Sequence, residues 1–188
     1  MKLVIFGLGY SADYFARTRR AGEPTTATVT TAEKAAALAN ANMEMLVFSP
    51  DGRDARIASR VAEAEALLIS IPPDAEGDPV LRDFAADIAA APRLRTIVYL
   101  STIGVYGDHS GAWIDETAEC RPVNERSLWR LEAEKAWRAL GETTGKSVHV
   151  LRLSGIYGPG QNALVNLRKG VARRIIKPGQ IFNRIHVE

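Results

Sequence analysis

Apolar runs of strand length alternate with longer helical stretches along most of the chain. Lys2–Phe6 is a near-continuous apolar run, and Ser11–Arg20 after it reads as a helix. Thr25–Val29, rich in Thr and Val, predicts a second strand, and the Ala-rich Ala32–Ala41 a second helix. Met45–Phe48, Ala66–Ile71, Thr96–Ser101 and Ser147–Leu153 read as further strands. Asp54–Ala64, Pro79–Ala90 and Glu125–Leu140 read as helices, with Pro79 where a first helical turn tolerates it. The fourth strand stops at Pro72-Pro73. Ile181–Glu188 reads as a strand with no turn or cap behind it, as though the chain were truncated inside an element.

Continuous apolar strands separated by helices belong to a parallel sheet covered on both faces. The expected class is α/β, a Rossmann-type doubly wound parallel sheet flanked by helices. Composition changes at Gly158-Pro159-Gly160, where a less regular basic segment begins. The expected organisation is therefore a Rossmann domain over residues 1–158 and the start of an incomplete substrate-binding region over 159–188.

The first strand runs directly into Gly7-Leu8-Gly9-Tyr10-Ser11-Ala12 and then a helix. In such a G-x-G-x-x-A loop the first glycine permits the tight turn and the second lets the backbone approach a pyrophosphate. The small third residue lets helix and strand pack closely, and the helix start offers free N–H groups to phosphates. Position at the head of an alternating β/α pattern turns a weak string into a strong one. Gly7, Gly9, Tyr10, Ser11 and Ala12 are thus expected to bind a dinucleotide, NAD or NADP. The second strand ends in Val29-Thr30-Thr31, without the acidic residue that selects NAD. That tips the expectation slightly toward NADP, with Thr30, Thr31 and Lys34 either near a phosphate or simply solvated turn residues.

Charge changes the picture modestly. Net charge is +2, but residues 121–188 carry 13 Lys and Arg against 5 Asp and Glu. A basic second half suits an anionic ligand or merely a solvated face. Cys120 is the single cysteine, so no internal disulfide forms. The opening run MKLVIFGLGY is too short and too glycine-broken for a signal peptide. A cytoplasmic protein without a membrane span is expected.

From residue 96 onward the chain resembles the extended and atypical short-chain dehydrogenase/reductases, the NAD-dependent epimerase/dehydratase-like group. Ser101-Thr102-Ile103-Gly104-Val105-Tyr106-Gly107 is similar to that family's strand-end motif, and Asp115-Glu116-Thr117 to a following loop. Arg152-Leu153-Ser154-Gly155-Ile156-Tyr157-Gly158-Pro159-Gly160 resembles a third motif, and Arg184–Glu188 a fourth. The resemblance implies an NAD(P)-binding oxidoreductase or epimerase/dehydratase acting on a small carbonyl or nucleotide-sugar-like substrate. It implies that Thr102, with Ser101 beside it, hydrogen-bonds substrate, although strand-end capping is an equal use for both. It also implies that Ile71, Pro72 and Pro73 pass beside the cofactor.

The match breaks on the helix after the fifth strand. The family's Tyr-x-x-x-Lys pair puts both side chains on one helix face, where the cation helps the phenol act as a base. Aligning Glu134 with the family's acidic residue on this helix puts Arg126 at the Tyr position and Arg130 at the Lys position. Arg130 can hold a ribose or pyrophosphate, but neither guanidinium titrates near neutrality. Tyr106, Tyr157, His109, water or a substrate group are the remaining proton carriers. A non-catalytic dinucleotide-binding redox sensor or regulatory protein is therefore the alternative reading. Arg168, Lys169, Arg173, Arg174 and Lys177 cluster where a substrate diphosphate could sit; no interleaved aromatic residue points to nucleic acid. The histidines at 109, 149 and 186 form no metal-ligand spacing. A homo-oligomer is expected if truncation leaves apolar surface exposed.

Overall fold

The computed structural model describes residues 1–188 apart from Ala21, Ala41, Ile175, Lys177 and Gln180. Its first half runs β1 (Leu3–Phe6), α1 (Tyr10–Thr18), β2 (Thr25–Val29), α2 (Ala32–Leu38), β3 (Met43–Ser49), β4 (Gly52–Arg53), α3 (Arg56–Glu63) and β5 (Ala66–Ile69). Then follow α4 (Pro79–Ala90), β6 (Thr96–Thr102), a single 3-10 turn (Ile103–Val105), α5 (Glu125–Thr144), β7 (Ser147–Leu153), β8 (Gly155–Tyr157), α6 (Ala163–Arg168) and β9 (Arg184–His186). Seven strands form one sheet in the order β4-β3-β2-β1-β5-β6-β7. All neighbours are parallel except the short antiparallel β3–β4 pair. The chain builds outward from β1 through β3, then returns to the other side of β1 with β5. That reversal puts a crevice at the carboxyl ends of β1 and β5, where open α/β sheets bind ligands.

The doubly wound sheet expected from the pattern is therefore present. Boundaries differ where local chemistry overrides the apolar run. Helix α2 stops at Leu38, because Asn40 accepts the Asn42 N–H and bridges to Met43 in a turn. Helix α5 runs to Thr144, four residues beyond the expected stop, because its terminator is Gly145 at φ +68°. The small elements β4, β8 and α6 lie below the length at which periodicity is readable.

Strands β1, β2 and β5 are buried along their whole length, as continuous apolar runs require. On one face, Phe6, Leu67, Ile97 and Tyr99 pack under Ile57 of α3, Phe84 of α4 and Trp137 of α5. On the other face, Ile5, Ala27 and Leu68 pack under Ala12 of α1, with Ala35 and Leu38 of α2 alongside. That second cover does not reach the far edge: Val98 and Leu100 of β6 are only partly buried, and Leu151 of β7 is 45% exposed. Burial on both faces, expected for every strand, thus fails at β6 and β7, which no helix among the described residues covers on this face. The segment that reads as a terminal strand supplies β9, which pairs in parallel with β8 in a separate two-stranded sheet. No helix among the described residues is long and apolar enough to cross a membrane.

Candidate dinucleotide and substrate site

The glycine loop leaves β1 into the crevice between β1 and β5. Gly7 has φ +88°, and a Cβ there would stand 2.7 Å from Ile71 Cγ1 and 3.2 Å from the Ile71 backbone nitrogen. Glycine is therefore required both by conformation and by contact. The Gly7 N–H donates to Thr28 Oγ1 at 2.9 Å, and the Leu8 N–H to the Thr28 carbonyl at 2.9 Å. Thr28, a buried hydroxyl in β2, thus fixes the loop from the neighbouring strand. Sequence reasoning passed over it; the signal was a run of Thr in a strand otherwise destined for the core.

Beyond Gly7 the loop presents bare backbone. At Gly9 the nearest atom a Cβ would meet is Ser70 Oγ at 3.8 Å, so the space in front of it is open. Gly9 is the N-cap of α1, and no side chain caps that first turn. Its N–H groups and dipole end are therefore free to meet phosphate oxygens. Asp13 in the same turn has its charge paired with Arg17 at 2.8 Å. Ala12 is completely buried against the sheet, the close packing expected of the third motif position. Tyr10 and Ser11 open the helix, and Ile71 with Pro72 and Pro73 forms the opposite rim after β5. A dinucleotide fits this cradle. Thr30 and Thr31 are exposed at the end of β2, where Thr31 Oγ1 accepts the Lys34 N–H and caps α2. Glu33 follows in the first turn of α2, its carboxyl held below its ordinary pKa by its own backbone N–H and the Thr31 hydroxyl.

The second part of the site lies at the end of β6 and on α5. The structure separates the uses of Ser101 and Thr102. Ser101 is buried and donates its hydroxyl to Glu134 Oε1 at 2.5 Å. Thr102 Oγ1 accepts the Gly104 N–H at 3.1 Å and caps the 3-10 turn, which leaves its own proton free to donate. Tyr106, 7% exposed, lies with its ring 4.6 Å from the Arg152 guanidinium. Arg130 donates to the Leu100 carbonyl at 2.8 Å and sits over the Tyr99 ring. Arg126, one turn earlier on α5, is exposed. The Tyr99 hydroxyl is buried without a hydrogen-bond partner among the described residues, and burial raises its pKa.

The other titratable candidates stand on the segments around this group, and the His109 ring meets Tyr106 edge-on at 6.4 Å. His109 Nε2 is 3.1 Å from the Glu119 carbonyl oxygen, in the loop after β6. Tyr157 meets His186 edge-on at 5.1 Å in the small sheet. That sheet reaches back to the glycine loop, where the Tyr10 hydroxyl donates to the Pro159 carbonyl at 3.1 Å. Arg168, Lys169, Arg173 and Arg174 are exposed, and Lys177 lies outside the described residues. A cavity of about 420 Å³ opens at the amino ends of β1, β2 and β3, lined by Lys2, Thr25, Asn42 and Arg60, at the opposite end of the sheet from all these groups.

Comparison with known proteins identifies the family and the fold. The sequence model of the NAD dependent epimerase/dehydratase family matches residues 83–180. The chain belongs to this family. Protein YeeZ of Escherichia coli (strain K12) is 31% identical over 170 residues, which cover 86% of this chain and 61% of that protein. A functionally unknown conserved protein from Silicibacter pomeroyi DSS superposes with a TM-score of 0.82 at 41% identity, covering 99% of this chain and 64% of the other. The chain thus spans under two thirds of the length of these relatives. UDP-glucuronic acid 4-epimerase from Bacillus cereus, solved with UDP-glucuronic acid and NAD, shares the fold. It has a TM-score of 0.75 at 16% identity and is covered over 69% of its length by the whole of this chain. The matched segment contains β6 and α5, and so Thr102, Arg126 and Arg130.

Proposed function

We propose that this chain is the dinucleotide-binding part of an NAD-dependent, epimerase- or dehydratase-like oxidoreductase acting on an anionic, nucleotide-sugar-like or small carbonyl substrate. The observation that carries this reading is the glycine loop: a left-handed Gly7, an uncapped α1 and open backbone at Gly9, all at the switch point of the sheet. In this reading residues 1–158 form the dinucleotide half and 159–188 begin the substrate half. β8 lies at the boundary, since its strand partner β9 comes from the second part.

When bound, the nicotinamide supplies a reversible hydride acceptor. The backbone N–H groups of Tyr10, Ser11 and Ala12 would hold the pyrophosphate, which side-chain-free Gly7 and Gly9 let approach the loop closely, with Ile71, Pro72 and Pro73 as the facing wall. Thr102 donates its free hydroxyl proton to a substrate oxygen. Arg130, already tied to the Leu100 carbonyl, places a fixed positive charge beside the end of β6. Arg126, exposed at the start of α5, attracts the anionic part of the substrate. Neither arginine moves a proton near neutral pH. We assign that proton to solvent, because Tyr106 is packed beneath Arg152 and Tyr157 against His186. At the adenosine end, Glu33 brings a carboxylate within the first turn after β2, which opposes a ribose 2′-phosphate. The preferred coenzyme in this reading is NAD, and the absence of an acid at Val29–Thr31 is made good two residues later.

Calorimetric titration with NAD, NADH, NADP and NADPH tests the proposal. Saturable binding with preference for the non-phosphorylated pair is expected; binding of none of the four sinks it. Binding without turnover of any nucleotide sugar in the full-length protein would favour a redox sensor instead.

A further inference from the structure

Glu134 lies on the buried face of α5, one turn beyond Arg130, and is 0% exposed. A carboxylate so placed costs several kcal/mol of lost hydration unless every partner is supplied. Here they are. Ser101 donates from the end of β6. Arg152 donates from β7 with Nε to both carboxylate oxygens at 3.2 Å and Nη2 to Oε2 at 2.8 Å. Arg138 approaches at 3.4 Å from the next turn of the same helix. Pairing with Glu134 raises the pKa of Arg152 further, so the charge on that guanidinium is permanent. Its other face covers the Tyr106 ring.

The consequence is geometric. Ser101 and Tyr106 bracket the turn that carries Thr102, and both are tied, directly or through Arg152, to one carboxylate. Replacing a buried ion pair by packed apolar groups is often neutral or stabilising, so stability alone does not call for this arrangement.

We propose that Glu134 is a positioning residue, which fixes the Thr102 turn at the end of β6 relative to the α5 face bearing Arg126 and Arg130. The inference rests on the reading of Thr102 as the substrate donor given above. It is tested on the chain without cofactor, by hydrogen exchange of the Gly104 and Tyr106 amides, whose bonds to Thr102 Oγ1 and the Ile103 carbonyl report the turn. The triple variant Ser101→Ala/Glu134→Leu/Arg152→Met keeps the packing apolar. It is expected to melt near the wild-type temperature while exchange at these two amides rises about tenfold and β6 interior amides stay protected. Ser101→Ala alone leaves the ion pair intact and is expected to raise the same exchange about threefold. Wild-type protection of the turn in both variants overturns the proposal, as does loss spread evenly over β6. In variants that bind NADH, emission of the bound nucleotide should move toward that of free NADH. Failure of the wild-type chain to bind NADH would count against the dinucleotide reading, while the exchange result would stand separately.

Discussion

The two parts of the candidate site are made of different material. Around the glycine loop most contacts use the loop's backbone: N–H groups at the head of α1, a left-handed Gly7 against Ile71, and the Gly7 and Leu8 N–H groups donating to Thr28. Around the end of β6 the contacts are side chains, and charged ones: Arg130 on the Leu100 carbonyl, Arg152 and Ser101 on Glu134. A backbone cradle tolerates no change at a few positions and is indifferent to most others. A side-chain cluster can be rewritten residue by residue. In the proposed reading, cofactor binding thus rests mainly on backbone and chemistry on side chains.

The contrast is broken most directly at Gly7. Gly7→Val forces a Cβ against Ile71 at positive φ and should cost about 1–3 kcal/mol of stability. It should also abolish NADH binding by calorimetry; retained affinity would mean that the loop does not hold the pyrophosphate. Next come the two arginines, which should part company. Arg130→Ala strands the Leu100 carbonyl and should lower stability by about 1–3 kcal/mol in denaturant melts. Arg126→Ala should leave stability within about 0.5 kcal/mol and weaken only the binding of a nucleotide-sugar anion. Equal destabilisation by both would refute the division of labour drawn here. At the adenosine end, Glu33→Arg should move the NADPH-to-NADH preference toward NADPH about tenfold, or ~1.4 kcal/mol. The smallest expected effect is a null one. Backbone N–H groups and guanidinium ions do not titrate in the neutral range, so NADH affinity should be flat between about pH 6 and 9. An inflection near pH 6.5 would implicate a histidine instead.

Much of the backbone half was legible in the sequence. The strand, the glycine spacing and the following helix are local facts, and the residues of β2, α4 and β7 matched their apolar patterns end to end. What escaped was non-local. Glu134, 33 residues from Ser101, reads as one more acid on an amphipathic helix until β6 and β7 are laid beside it. Glu33, proposed above as the discriminating carboxylate, escaped because an acid was sought on the strand and this one stands in the first turn of α2. The bare outer face of β6 and β7 escaped because apolar strands read alike whether one face or both are covered.

The bond from Tyr10 to Pro159 joins residues 149 apart in the chain. During synthesis the glycine loop leaves the ribosome first, and the carbonyl that braces its tyrosine follows 149 residues later. Such a long closure is paid in entropy before any contact rewards it, and it settles after local structure. The glycine loop is therefore braced in this way only after the strands β1 to β8 have all been made.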